Sequence, residues 1–389
     1  MSIDLSIAAD SPSLRERSLN AVLDALRTAP RGSRAELAEQ TGLSKPTVAS
    51  ALRALQSGGL VRERGRSTGR RGPSASLYEP VVDAALVLGV DIGAHHVRAV
   101  LADLDGKLSA ETTVAVRRPD AEHVINALRT VRSRLVDRSV ELAVVGSPGV
   151  VDPVTGRIRS SPNIDGWEGV EAEAVIGDAL ALETSVDNDV NLAALGELAR
   201  GAGRGRSTFA YLSVGSGLGA GLVLDGRLHR GRHGAAGEVG YLAVGGDPAG
   251  DATASRGPME KHLSQDAIVD AAARVDPGAP RDPRELFQRA RRGDAPGRAA
   301  VAQTIDGLAV CIASITAVLD LELVLLGGGI GEQGDLLLEP VRAALAALVP
   351  YTPDIAVGTL GDHDVLTGAA ATGATLARAA VIRRCLAAT

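Results

Sequence analysis

The chain has 389 residues, which is enough for two or three domains with sizeable cores. Its net charge of −6 is uneven: residues 1–80 carry 12 Lys and Arg against 8 Asp and Glu, so this segment holds +4 and the remainder −10. Only 2 cysteines occur, which favours buried thiols in a reducing compartment over a disulfide-stabilised scaffold. A basic segment joined to an acidic body indicates a nucleic-acid-binding module attached to a second function.

Targeting and membrane segments are not expected. The N-terminus lacks the positively charged region of a signal peptide. The longest apolar run, around 308–319, is too short to span a bilayer and lies between Asp306 and Asp320. We therefore expect a cytoplasmic protein with no membrane partner.

The first 80 residues show the pattern of a helix-turn-helix. Apolar residues at helical spacing predict a first helix over Leu14–Thr28. Ser33 and Glu36 form a capping box that predicts a second helix over Arg34–Thr41. Ser44 is the N-cap of a third helix, which begins with a proline in its first turn. The positions spaced as packing residues of a helix-turn-helix are Ala38, Gly42, Val48 and Leu52.

In such a motif the second helix of the pair enters the major groove of DNA. The side chains expected at bases and phosphates are Ser44, Lys45, Thr47, Ser50 and Arg53. The segment 58–73 alternates like a strand and then becomes rich in Gly and Arg, which predicts a β-wing. Its arginines would meet phosphates or a minor groove, and they are Arg62, Arg64, Arg66, Arg70 and Arg71. The alternative is a small helical protein-interaction domain with a solvated Arg-rich linker.

The next segment, 81–200, predicts the order strand, hairpin, strand, helix, strand. This order is that of an RNase H-like or actin-like lobe. Asp105 and Gly106 form the expected hairpin turn, and a third strand is expected at 115–117. The other predicted elements are strands at 86–93, 97–106 and 140–146, and helices at 121–137, 170–179 and 192–201.

A glycine-rich hairpin begins the second half of the body. From 215 to 221 every second residue is glycine, between two apolar strands. Glycines let a backbone approach a ligand closely, and their N–H groups can cradle a phosphate. Glu238 and Glu260 follow this segment and could hold a polyhydroxylated ligand. The elements predicted after them are helices at 258–272, 283–292, 297–319, 336–348 and 367–384, and strands at 321–326 and 355–357.

Four motifs together resemble the ROK family of repressors and sugar kinases, specifically its repressor branch with an N-terminal winged helix. The resemblance extends from residue 14 to the C-terminus. The motifs are Asp-Ile-Gly-Ala-His at 91–95, Ser-Pro-Asn-Ile-Asp-Gly-Trp at 161–167, Asp-Asn-Asp-Val-Asn at 187–191, and the glycine run that ends at Glu-Val-Gly at 238–240. The resemblance implies an α/β two-lobed, actin-like/RNase H-like body of the sugar-kinase type, preceded by an α+β winged helix-turn-helix domain.

The resemblance also implies roles for individual residues. Asp189 takes the position of the catalytic base, although a carboxylate there is also a good helix cap. The residues implied to bind the sugar are Asn163, Asn188, Asp189, Glu238, Tyr241 and Glu260. Those at phosphate-binding positions, which we interpret as vestigial, are Asp91, Gly93, Gly215, Ser216, Gly217 and Gly328.

Two departures from the family pattern argue against cofactors. The resemblance implies Asp91 as a partner of Mg²⁺, but Ala94 and His95 replace the usual Gly-Thr of the first phosphate motif, so we expect neither ATP with Mg²⁺ nor kinase activity. Tyr241 replaces the zinc-binding His of the family. The three Cys positions of the family fall on Asp251, Thr253 and Pro258, so no zinc site of the usual kind is expected.

The sequence thus predicts three domains: a winged helix-turn-helix at 1–80, a first lobe at 81–203 and a second lobe at 204–389. The final helix, at about 367–384, is expected to pack back on the first lobe. We predict a regulator, expected to be a repressor of carbohydrate-related genes, that binds double-stranded DNA as a homodimer or homotetramer and senses a sugar or sugar phosphate. The alternatives are an ATP-dependent sugar kinase with a regulatory head, and a regulator that has lost its sugar and responds to a protein partner.

Overall fold

The computed structural model describes residues 13–66, 75–135, 140–161, 163–215, 217–244 and 257–387. Its N-terminal part is a winged helix-turn-helix. The helices are α1 (Leu14–Thr28), α2 (Arg34–Thr41) and α3 (Lys45–Ser57), and the strands are β1 (Gly32–Ser33), β2 (Val61–Arg66) and β3 (Ser76–Pro80). The strands pair in the order β1-β3-β2.

The helix ends follow from local chemistry, as the sequence predicts. The Ser33 hydroxyl accepts a hydrogen bond from the Glu36 N–H while the Glu36 carboxylate accepts one from the Ser33 N–H, which is a complete capping box. Ser44 caps α3 through the Thr47 N–H. Gly42, predicted as a packing residue, instead ends α2 in the left-handed conformation at φ 68°. Arg70 and Arg71, which the sequence predicts in the wing, lie outside the described residues.

The first lobe is built on a five-stranded sheet with the order β10-β7-β4-β5-β6. The strands are β4 (Leu86–Ile92), β5 (His96–Ala102), β6 (Leu108–Ala115), β7 (Val140–Ser147) and β10 (Thr184–Asn188), with a small ribbon of β8 (Val150–Val151) and β9 (Ile158–Arg159). The prediction of a third strand at 115–117 was wrong. The strand occupies 108–115 instead, because it is a largely exposed edge strand whose side chains lack an apolar pattern.

Two helices cover this sheet, and a third connects it to the second lobe. Two of them, α4 (Ala121–Leu135) and α5 (Ala172–Leu180), pack against each other, and α4 also packs on β5 and β6. The third, α6 (Asp189–Arg200), follows directly on β10 and contacts the sheet of the second lobe. The first lobe is thereby joined to the second through α6.

The second lobe has a five-stranded sheet with the order β13-β12-β11-β14-β15. The strands are β11 (Phe209–Val214), β12 (Leu218–Leu224), β13 (Arg227–Leu228), β14 (Leu323–Gly327) and β15 (Asp354–Val357). The helices are α7 (Pro258–Leu263), α8 (Gln265–Val275), α9 (Pro283–Arg291), α10 (Ala295–Leu319), α11 (Gly328–Gly331) and α12 (Gly334–Ala346). The single helix predicted over 258–272 is broken at Ser264, which ends α7 and caps α8 through the Ala267 N–H.

The two sheets share one topology. In each, the first strand pairs antiparallel with the second and parallel with the fourth, and the fifth strand extends the parallel side. The predicted two-lobed α/β body preceded by a winged helix-turn-helix is confirmed.

The chain ends in α13 (Asp364–Ala387), which packs on β4, β7 and most extensively on α6. Small residues allow this close crossing. A side chain on Gly196 would collide with the Asp364 carbonyl, and one on Gly368 with the Leu192 carbonyl. The two helices therefore form one rigid pair between the sheets.

By length and hydropathy, α10 and the segment Gly361–Ala387 could each cross a bilayer. The prediction of an apolar run too short to do so considered only 308–319, whereas α10 has 25 residues. Half of the apolar window in α10 and two thirds of that in the final segment are buried inside the protein. Cys311 and Cys385 are buried on these helices, as predicted. Both helices pack as core helices of the fold.

Candidate functional site

Three aspartates meet where strands end and helices begin. Asp91 lies near the end of β4, Asp189 is the first residue of α6 and Asp364 is the first residue of α13. Burial raises the pKa of Asp189 to about 7, and the nearby charges of Asp91, Asp364 and Glu238 contribute. Burial likewise raises the pKa of Asp364 to about 6. The predicted base position is thus a desolvated carboxylate among acids from both lobes, in the region between the lobes that we call the cleft.

The loops on the first-lobe side of this cleft are fixed by side-chain hydrogen bonds. Asn188 caps α6 by accepting from the Val190 and Asn191 N–H groups and donates to the Gly149 carbonyl at 3.1 Å. The buried Trp167 indole donates to the Ser147 hydroxyl at 2.9 Å, which ties the 161–167 loop to the end of β7. Asn163 is exposed on that loop. Asn188 therefore has a structural role, and its ligand role stays a prediction.

Glu238 and Glu260 lie together on the second-lobe side. Burial and the charge of Glu260 raise the pKa of Glu238. The Glu260 carboxylate lies beside Gly217 and Gly240. Tyr241 follows in a 3-10 turn (Val239–Tyr241) and is 49% exposed. The two glutamates and the Asp189 carboxylate thus belong to one connected group of acids.

The glycines of the predicted cradle divide into two kinds. A Cβ on Gly215 would meet nothing within 4 Å, and one on Gly217 would meet only the Glu260 carboxylate at 3.5 Å. A Cβ on Gly221, by contrast, would lie 2.5 Å from the Ala194 Cβ and 2.6 Å from a carbonyl of α6. Only the first kind is open to a ligand. Ser216 lies outside the described residues.

The backbone conformation at position 328 itself requires a glycine. Gly328 adopts φ 72°, and a Cβ there would lie 2.6 Å from the Val214 carbonyl. It therefore allows the turn from β14 into α11 beside the end of β11, whether or not a nucleotide binds.

An ion pair that sequence reasoning missed closes the first hairpin. Arg98 lies opposite Asp91 on β5, and its Nε and Nη2 donate to Asp91 Oδ2 at 3.1 and 2.7 Å. The two side chains are only 19% and 9% exposed. The ring of His96 lies against Gly93 of the same hairpin. The signal that could have revealed the pair is the hairpin register, which sets residue 98 opposite residue 91.

Asp364 was also missed, and it reaches the cleft only through the tertiary fold. The hydroxyl of buried Tyr211 on β11 donates to its carboxylate. Burial and this neighbouring carboxylate raise the pKa of Tyr211 above its ordinary range. The bond fastens the start of α13 to the second sheet.

The residues present do not fit the metal ions of the wider fold family. Asp91, the aspartate of the first phosphate motif, already accepts both hydrogen bonds from Arg98. At the zinc positions, Tyr241 and Pro258 supply neither imidazole nor thiolate, and Asp251 and Thr253 lie outside the described residues. Across the described ranges, no three His, Cys, Asp or Glu side chains are placed to share a metal ion.

The candidate DNA interface is the exposed face of α3. Lys45, Ser50 and Arg53 are exposed there, whereas Ser44 and Thr47 bond to each other at the cap. Val48 and Leu52 are buried against the other helices, as predicted.

On the wing, the predicted arginines are not equivalent. Arg62 and Arg64 both bind the Glu79 carboxylate, at 2.6 and 3.0 Å. Arg66 is exposed at the end of β2. Glu79 therefore holds two of the predicted phosphate-binding side chains in place along the strand.

The winged helix-turn-helix packs on the body through the end of α13. A side chain on Gly58, at the end of α3, would collide with the Cys385 sulfur. Arg27 of α1 pairs with the Asp105 carboxylate, and Arg200 of α6 donates to the Asp105 carbonyl. The helix pair that begins at the cleft thus ends at the DNA-binding domain.

The fold and site define a two-lobed protein of the sugar-kinase type that carries a DNA-binding domain. The ROK family model matches residues 87–376, and the IclR helix-turn-helix model matches residues 19–65. The chain therefore belongs to the ROK family, as the sequence motifs predict.

Its relatives include repressors and kinases. The chain is 25% identical to a xylose repressor of Caldicellulosiruptor bescii, over 86% of this chain and 90% of that protein. It is 29% identical to a glucokinase of Thermotoga maritima, over 70% of this chain and 90% of that enzyme. A solved structure also matches the chain: the crystal structure of a ROK family transcriptional regulator, described as a homologue of the E. coli MLC protein. The match covers 95% of this chain and 100% of that structure, with a TM-score of 0.78 at 22% identity, which establishes the shared fold.

Proposed function

We propose that the protein is a cytoplasmic, sequence-specific DNA-binding repressor of carbohydrate-related genes whose inter-lobe cleft binds a sugar. The ROK body, the helix-turn-helix match and the similarity to repressors support this function. The carboxylates and amides of the cleft are hydrogen-bonding groups suited to sugar hydroxyls.

The observation that carries the proposal is the helix pair α6 and α13. Both begin at the cleft, with Asp189 and Asp364 in their first turns. With 24 residues, α13 extends about 36 Å and ends against Gly58 of the DNA-binding domain. A sugar that changes the closure of the lobes would therefore move the surface on which α3 rests.

The wider assignments are part of the same proposal. The DNA partner is a double-stranded operator read by two heads of a homodimer or homotetramer, because helix-turn-helix proteins read paired half-sites. The ligand residues are those at the cleft, and the protein works without zinc or ATP. We also propose three domains with boundaries at 80 and 203.

The test is DNA binding by the full chain, measured by fluorescence anisotropy on its own promoter region, with and without a panel of sugars. We expect binding at moderate salt and a change in affinity with one sugar. Lys45→Ala should weaken DNA binding, and Glu39→Ala, an exposed residue on α2, serves as the matched surface control. Absence of promoter binding by the wild type would refute the proposed function.

The coupling has its own test. Gly58→Ala pushes a methyl group into the Cys385 sulfur, so the sugar-induced change in DNA affinity should shrink. The double variant Gly58→Ala with Cys385→Ala removes that sulfur and should restore the response. An unchanged response in Gly58→Ala would argue against transmission through α13.

A sugar kinase is the second candidate. The pKa of about 7 at Asp189 suits a general base, and the chain is similar to glucokinases. Turnover of ATP with a hexose panel, abolished by Asp189→Asn, would establish this activity. We expect no turnover because Asp91 is paired with Arg98. A regulator without any sugar would show no increase in melting temperature across the panel.

A further inference from the structure

The Arg98 side chain neutralises Asp91, which without it would be an unpaired carboxylate of the cleft. Its guanidinium binds Asp91 through two nitrogens. It also lies near enough to Asp362 and Asp364 to feel their charges. The guanidinium is thus bound to one carboxylate and lies within the electrostatic influence of two more, at the end of the cleft formed by the first hairpin.

The acids continue across the cleft. Asp189 is electrostatically coupled to Asp91, Asp364 and Glu238, and Glu238 in turn to Glu260. A second arginine of this region, Arg230, is bound to the Asp187 carboxylate at 2.7 Å. Arg98 and Arg230 are therefore both committed to aspartates.

This arrangement bears on what can bind. A divalent cation prefers carboxylate oxygens and would need Asp91 to release Arg98. A phosphoryl group carries a charge of about −1.5 to −2 near neutral pH and would enter a group of carboxylates in which Arg98 and Arg230 already neutralise aspartates. The hydroxyls of an uncharged sugar can donate to those same carboxylates.

We propose that Arg98 is a counter-ion of Asp91 that takes the place of a divalent metal ion. The cleft therefore binds an unphosphorylated sugar without a metal ion and rejects the phosphate ester of that sugar. The proposal rests on the proposed sugar-sensing function and names the ligand class for it. Arg98 is a specificity-determining residue that acts through Asp91.

The first experiment counts bound Mn²⁺ by electron paramagnetic resonance on the full chain. Wild type should bind no Mn²⁺ that depends on Asp91. Arg98→Ala should gain one Mn²⁺ per chain, and Asp91→Asn with Arg98→Ala should lose it again. Arg98→Lys keeps a positive charge beside Asp91 and should bind no Mn²⁺ at this site. This variant also gives a result if Arg98→Ala fails to fold. Arg384→Ala, which frees Glu141 outside the cleft, is the matched control and should gain none.

Three Mn²⁺ results would overturn the role of Arg98. The first is a Mn²⁺ ion in the wild type that Asp91→Asn removes. The second is a folded Arg98→Ala variant that gains no Mn²⁺, and the third is an Arg98→Lys variant that gains one.

The second experiment compares glucose, xylose and N-acetylmannosamine with their phosphate esters by calorimetry, in Mg²⁺ and in EDTA. We expect a free sugar to bind at least about tenfold tighter than its ester, with the same affinity in both buffers. Tighter binding of an ester, or a requirement for Mg²⁺, would overturn the selectivity.

The two proposals fail separately. If neither member of any pair binds, the selectivity is rejected while the Mn²⁺ count still decides the role of Arg98. If the promoter is not bound but a free sugar is, the regulatory function fails and the ligand class stands.

Discussion

The two lobes repeat one sheet topology and fill it with different chemistry. In the first hairpin, the second cross-strand pair from the turn is Asp91 with Arg98. In the second, the corresponding pair is Ser213 with Gly219. The first lobe places a buried ion pair at the cleft, and the second places small residues that let α6 lie close to the sheet. The same fold thus supplies electrostatics from one side and close packing from the other.

The close packing of the second hairpin against α6 changes the interpretation of the glycine run at 215–221. Alternating glycines suggest a phosphate cradle throughout, yet Gly219 and Gly221 lie under Val190 and the rest of α6. In the described part of the run, Gly215 faces open space and Gly217 faces the Glu260 carboxylate. A glycine pattern identifies close approach, and the structure decides whether a helix or a ligand approaches.

The largest effect should come from Gly221→Ala. Its methyl group would lie 2.5 Å from the Ala194 Cβ and 2.6 Å from the Val190 carbonyl, so the backbone of α6 or β12 must shift. Overpacking of this kind costs about 1–3 kcal/mol, and we expect a loss of that size in the free energy of unfolding. Thermal unfolding monitored by circular dichroism measures it.

Gly217→Ala is the matched control for this substitution. It adds the same methyl group in the same hairpin but meets only the Glu260 carboxylate at 3.5 Å. Its stability should stay within about 0.5 kcal/mol of wild type, while sugar affinity falls. Equal losses of stability in both variants would remove the distinction between packed and open glycines.

Local signals were the part of the structure that the sequence predicted well. The capping residues Ser33 and Ser44 fixed helix starts because their hydrogen bonds lie within four residues. The edge strand at 108–115 was misplaced because its exposed side chains carry no apolar period.

Parts of the site depend on long-range geometry. Asp189 and Glu238 were found from motifs, but Arg98 required the hairpin register and Asp364 required the packing of α13. The bond between Tyr211 and Asp364 joins residues 153 positions apart, and nothing local in either segment indicates it.

The ion pair of the first lobe gives the second prediction. Arg98→Ala leaves the buried Asp91 carboxylate without its donor, which costs about 1–3 kcal/mol of stability. The double variant with Asp91→Asn removes the stranded charge and should recover part of this loss. A double-mutant cycle by chemical unfolding measures the coupling. A double variant less stable than Arg98→Ala would show that the pair is not the reason for the loss.

The third prediction concerns Asp189 and pH. Its pKa rises from 3.8 to about 7 on folding, so the folded protein holds a proton that the unfolded chain releases. Stability from this group is complete below about pH 4 and is lost as the pH rises through about 7. Asp189→Asn should therefore raise the melting temperature by a few degrees at pH 8, with a gain that narrows toward pH 4. Asp178→Asn, on α5, is the control, and a gain independent of pH would contradict the assignment.

The smallest effect should come from Tyr241→Phe, which tests whether the second lobe contributes to recognition beyond its glutamates. Tyr241 is about half exposed, so removing its hydroxyl should change stability by less than about 0.5 kcal/mol. If the hydroxyl donates to the sugar, affinity should fall by the value of one hydrogen bond, about 0.5–1.5 kcal/mol. Tyr351→Phe, an exposed tyrosine of the second lobe, is the matched control. Calorimetry with the sugar that binds the wild type separates the two cases. An unchanged affinity would assign recognition to the carboxylates, because water would then replace the hydrogen bond of the half-exposed hydroxyl without loss.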